Sequence, residues 1–157
     1  MEPFDYFEEL GNCRYLFLEQ LIEPKRNALR IRLAEGIVSS AGVPVEIASQ
    51  SFGDGLPVET NPNCARYELT WDSYVLYQVL NEMYSTAEVS ARGTVTRLAR
   101  VYKASSLLDY ISRSGNASDT WPGGLLHFQI VCADHVIDVI SSEGPQGRKI
   151  VAKQRTN

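Results

Sequence analysis

The sequence predicts an α+β fold: a largely antiparallel β-sheet with short helices packed on one face. Three observations lead there. Apolar and polar residues alternate with a period of two through Ala28–Ala34 and Arg66–Trp71, the mark of half-buried strands. Turn-forming residues interrupt the chain at short intervals, at Glu23-Pro24-Lys25-Arg26-Asn27, Asn61-Pro62-Asn63, Pro122-Gly123-Gly124 and Gly144-Pro145. Helix signals are few and short, so strands dominate the layer that must be covered.

Each element follows from its own residues. Phe4–Leu10 carries helical spacing and stops at Gly11-Asn12. Tyr15–Ile22 is apolar on both faces, as in a central strand. Ala28–Ala34 puts Leu29, Ile31 and Leu33 on one face and Arg30 and Arg32 on the other, and the two strands read as a hairpin. Gly36–Asn63 is rich in turn residues, with Val43–Ile47 as a short edge strand; a loop this long is functional or mobile. Arg66–Trp71 is a strand. Asp72–Tyr84 fits both periods: Asp72 suits a helix N-cap, yet the alternation of Tyr74, Leu76, Gln78 and Leu80 with Val75, Tyr77 and Val79 favours a strand. Thr94–Val101 is β-branched and reads as a strand. Ser105 or Ser106 caps a helix through Ser112 that buries Leu107, Leu108 and Ile111 and stops at Gly115-Asn116. Leu125–Ile140 forms a hairpin about Ala133-Asp134-His135, a three-residue loop. That loop puts Ile130, Cys132, Val136 and Ile140 on the core face and His127 on the other, away from Asp134 and Asp138.

With 157 residues the chain suits one domain. We expect residues 1–145 to form it and 146–157, with Arg148, Lys149, Lys153 and Arg155, to form a basic, flexible tail. Fifteen Lys and Arg against 19 Asp and Glu leave a net charge of -4, which argues against nucleic acid as the main ligand. Mean hydropathy is -0.18 and no long apolar run exists, which argues against a membrane span. The opening Met-Glu-Pro-Phe-Asp has neither a basic nor an apolar export region. Three widely spaced cysteines, Cys13, Cys64 and Cys132, read as free thiols in a reducing cytoplasm.

The segments Tyr67–Glu82 and Leu126–Val139 resemble small bacterial proteins described only as hypothetical. The resemblance implies a bacterial, cytoplasmic protein and supplies neither an activity nor site residues.

Two groups of side chains are candidates for function. Tyr67, Trp71, Tyr74, Tyr77 and Tyr84 fall in one segment edged by Glu68, Asp72 and Glu82; such rings suit a protein interface, or else cover the sheet beneath the helices. His127, His135 and Asp138, with Asp134, are the one local cluster of metal-ligand types, though strand parity separates them. No cofactor is implied, and no nucleophile elbow of the G-x-S-x-G kind is present. The expected function is a non-catalytic protein-interaction module of the bacterial cytoplasm. It would act on a protein partner or on itself, in the manner of an immunity protein that binds a basic partner. The alternative is a small enzyme or metal-binding protein using His127, His135 and Asp138 under the Gly36–Asn63 loop.

Overall fold

The computed structural model describes residues 5–85, 97–117 and 121–150. In chain order these form α1 (Asp5–Gly11), β1 (Leu16–Ile22), β2 (Leu29–Glu35), β3 (Ile37–Val38), β4 (Val43–Ile47), β5 (Gln50–Gly55), β6 (Val58–Glu59), β7 (Arg66–Trp71) and β8 (Leu76–Asn81). A 3₁₀ turn at Glu82–Tyr84 precedes β9 (Ala99–Tyr102), α2 (Ser106–Ser114), β10 (Leu126–Val131), β11 (His135–Ser141) and β12 (Gln146–Ile150).

The strands make two four-stranded antiparallel sheets, in the orders β1-β2-β7-β12 and β8-β11-β10-β9. The alternation seen in β2 and β7 sets the first register: Leu29, Ile31 and Leu33 lie opposite Trp71, Leu69 and Tyr67. These six residues are buried in one cluster with Phe128 and Ile130 of β10 and Ile137 and Val139 of β11. The two sheets therefore share a single core, as in a β-sandwich. Phe128 is at its centre, edge-on to Phe7 of α1 (centroids 5.6 Å apart) and to Trp71 (5.8 Å). The free Cys132 thiol belongs to this core, where burial, reinforced by Asp134, pushes its pKa up to about 12.

The mostly antiparallel sheet agrees with the sequence, but the helices do not share one face. Helix α1 packs against the edge strands β9 and β12, whereas α2 lies outside the second sheet, with Ile111 clustered on Ile140. The segment Gly36–Asn63 is not a plain loop. It folds into two ribbons, β3 with β6 and β4 with β5. Val43–Ile47 is indeed a strand; its partner Gln50-Ser-Phe-Gly-Asp-Gly55 contains no β-branched residue and so gives no strand signal. Ala48 and Ser49, at φ 49° and 66°, supply the tight connection.

The C-terminal expectation also needs correcting. Residues Gln146–Ile150 form β12, paired along β7, because Arg148 reaches the buried Glu68 (Nη2–Oε1 2.7 Å) and Lys149 reaches Glu9 of α1 (2.6 Å). Residues 151–157, with Lys153 and Arg155, lie outside the described residues, as do 94–96 of the strand expected at Thr94–Val101. Among the described residues no helix is long and apolar enough to cross a membrane.

Candidate functional site

The site begins with a turn one residue shorter than the sequence suggests. The Cys132 N–H donates to the His135 carbonyl (2.7 Å), which leaves only Ala133 and Asp134 at the tip. Val131 then pairs with Val136, and Gln129 with Asp138. Shortening a hairpin loop by one residue turns the second strand over. His127 and Gln129 therefore share a face with Asp138 and Ile140, while Ile137 and Val139 turn into the sandwich core. Val136 and Ile140, expected beside Ile130, are on the outer side. Ile130 itself is fully buried in the core as expected.

On this outer face four strands and a helix cap converge. Gln78 of β8 is in register with Asp138, and Tyr102 of β9 with His127. Ser105 is the N-cap of α2: its Oγ accepts the Leu108 N–H at 3.1 Å, the role its position before an apolar helix predicts. The same Oγ is 3.0 Å from His127 Nδ1, and His127 Nε2 is 2.8 Å from Asp138 Oδ1. Gln129 donates to Asp138 Oδ1 (3.0 Å) and Gln78 to Oδ2 (2.9 Å). Tyr102 donates to Gln129 Oε1 (3.2 Å), and Arg100 donates to the Tyr102 hydroxyl (3.2 Å).

The electrostatics follow from this wiring. His127 and Asp138 are each only 5% exposed. Burial would raise the Asp138 carboxyl, but the hydrogen bonds from His127, Gln78 and Gln129 outweigh it and hold the group below the usual aspartate range. An ionised carboxylate only accepts hydrogen bonds, so in the neutral tautomer that fits this line the imidazole proton is on Nε2. Nδ1 then offers a lone pair to Ser105, whose hydroxyl donates to it. The outcome is a serine–imidazole–carboxylate line at the floor of a cavity of about 280 Å³ between α2 and the second sheet. Leu80, Leu107, Tyr110 and Val136 supply its apolar walls. Ser106, the first residue of α2, lies on its rim and is exposed.

The remaining predicted residues scatter. His135 pairs across to Asn81 and has the opposite parity to Asp138, so the three proposed metal ligands do not converge. Among the described residues no group of three or more His, Cys, Asp or Glu side chains is placed to hold a metal ion. The cavity lies under α2, not under the Gly36–Asn63 segment.

The aromatic set is split as well. Tyr67 and Trp71 are buried in the core and present no outer surface. The Tyr67 hydroxyl reaches Glu9 at 2.9 Å, and burial followed by that bond pushes the phenol upward. Tyr74 stacks edge-on with Tyr77 (4.9 Å) and is bonded to Glu23. Only Tyr84 stands well out, at 73% exposure.

Glu68, expected at an acidic edge, is buried on the outer face of the first sheet. Burial would raise its carboxyl, but the bonds from Arg32 (2.7 Å) and Arg148 hold it low. Ser105, Gln78, Gln129 and Tyr102 escaped the sequence reading as site residues. A signal for two partners was present: His127 and Gln129 are polar at alternate positions of an otherwise apolar strand, which places them together on one face.

No family model, curated protein or solved structure matches this chain.

Proposed function

We propose that the protein binds a small, uncharged polar ligand in the cavity between α2 and the second sheet. The observation that carries this reading is the buried Asp138 carboxylate, held by three donors at the floor of an accessible cavity. A polar network on a partly buried sheet face costs free energy unless its groups are satisfied, and a purely structural sheet face could have been apolar. The lining described contains one carboxylate and neither lysine nor arginine. Phosphates and carboxylates would meet Asp138 unscreened, whereas amides, esters and sugars would find hydroxyl and amide partners beside apolar walls. Ligand-observed NMR with a panel of neutral amides, esters and monosaccharides tests this. Binding should be lost in Ser106→Trp, which blocks the rim from an exposed helix position. Unchanged binding in that variant, or binding only of anions, would overturn the reading.

A protein-interaction role has its own support in the β4–β5 ribbon. Val43 (48% exposed), Ile47 (61%) and Phe52 (60%) leave apolar surface on a ribbon that, among the described residues, pairs only within itself. A lone two-stranded ribbon gains little from its own pairing in water, and an apolar patch of this kind suits docking against the same patch of a second copy. Sedimentation velocity over a hundredfold concentration range should show dimerisation, abolished by Phe52→Ser. A monomer at every concentration would remove the self-association reading. Charge and size support an immunity-type role, and the resemblance together with three unpaired cysteines supports a bacterial, cytoplasmic setting.

A further inference from the structure

We infer that Ser105 is a nucleophile toward uncharged acyl compounds held in the α2 cavity, with His127 as its base and Asp138 as the residue that positions the base. This rests on the cavity being a ligand site and adds chemistry to it. The line of contacts is complete: Ser105 Oγ to His127 Nδ1 at 3.0 Å, and His127 Nε2 to Asp138 Oδ1 at 2.8 Å. It has the serine–histidine–carboxylate roles of an acyl-transfer site with the imidazole turned over, serine on Nδ1 and carboxylate on Nε2. The two ring nitrogens exchange roles without changing the proton balance.

Burial is graded in the sense that catalysis requires. His127 and Asp138 are buried, Ser105 is half-buried, and all three line the cavity. Gln78 and Gln129 donate to the same carboxylate, which fixes Asp138 and through it the ring. Tyr102 lies against the ring, with centroids 5.2 Å apart.

The helix start supplies the other half of the site. The Leu108 N–H already donates to Ser105 Oγ, which stabilises negative charge on that oxygen. Ser106 and Leu107 also line the cavity, and first-turn N–H groups have no carbonyl partner within their own helix. They are suited to receive the oxygen of a tetrahedral intermediate.

In the reaction, Ser105 Oγ forms a bond to the acyl carbon while its proton passes to His127 Nδ1. Collapse breaks the bond to the leaving group, which takes that proton. Water then attacks the acyl-serine, giving a proton to Nδ1 that returns to Ser105 as the acid departs. Atoms and protons balance without a further reactant.

A simple helix cap predicts the same contacts but no reactivity, and the test separates the two. The full chain is incubated with p-nitrophenyl acetate and, separately, with an uncharged alkyl fluorophosphonate, and the adduct is located by peptide mass spectrometry. We expect one adduct, on Ser105. It should be absent from Ser105→Asn, which keeps a capping side chain. It should form about 100-fold more slowly in His127→Gln, the lower end for loss of a general base. In Asp138→Asn the pH profile of labelling should shift, since the carboxylate that supports the imidazolium is gone. Circular dichroism establishes that each variant is folded. An unlabelled Ser105, or labelling as fast in His127→Gln as in the parent, would overturn the proposal. If neutral ligands still bind the cavity in that case, the binding reading stands and the nucleophile alone fails.

Discussion

Replacing Phe128 by alanine should destabilise the protein by about 3–5 kcal/mol, the range for removing a large aromatic ring from a packed core. Phe128 is fully buried and touches rings from two other elements, Phe7 of α1 and Trp71 of β7. Its loss opens a void between the two sheets that neighbours on strands cannot close without moving the backbone. Edge-to-face ring contacts add to the burial they accompany. Met83→Ala is the control, because that side chain is 78% exposed; it should change stability by less than about 0.5 kcal/mol. Urea unfolding at constant m-value measures both. Equal midpoints for the two variants would show that the sheets do not share the core described.

Asp138→Ala should cost about 3 kcal/mol at neutral pH, since it strips the acceptor from the buried His127, the half-buried Gln129 and the exposed Gln78, and an unsatisfied buried donor costs roughly 1–3 kcal/mol before relaxation. Asp138→Asn gives the electrostatic part through pH. The folded carboxyl is held below its ordinary value, so its stabilisation is fully present above the unfolded value, about 3.9, and is lost as pH falls through the folded value. Below about pH 4 the stability gap between the parent and Asp138→Asn should thus narrow with further acidification. A gap independent of pH down to acid unfolding would mean that Asp138 is not held ionised by these partners.

His127 shows why such predictions needed the tertiary structure. From parity across a three-residue loop it belongs on an exposed face, where its removal would cost little. In the folded chain it is buried between Ser105 and Asp138. The difference is the single residue by which the Ala133–Asp134 turn is shorter. Flanking residues give that turn no strong signal, because neither position carries the glycine that favours the tightest hairpin turns.

The sequence by itself determined the local elements wherever one interaction range decided them. β2, β7, a cap of α2 at Ser105 or Ser106 and its Gly115 stop all agree with what their residues specify, since alternation and capping are written within a few neighbouring positions. It also marked Ile130 as core. Only the tertiary structure decided what long-range pairing controls: that two sheets close on one core and bury Tyr67 and Trp71, that β12 joins β7 through Glu68 and its arginines, and that Gly36–Asn63 forms ribbons. The candidate site belongs to this second kind. Its serine, histidine and aspartate come from a helix cap and two strands, and the register of β10 on β11 with α2 laid over them puts their polar atoms within 3.0 Å of one another along the line. Register depends on the length of a turn and on the energy of the whole sheet, neither of which any local window of residues contains.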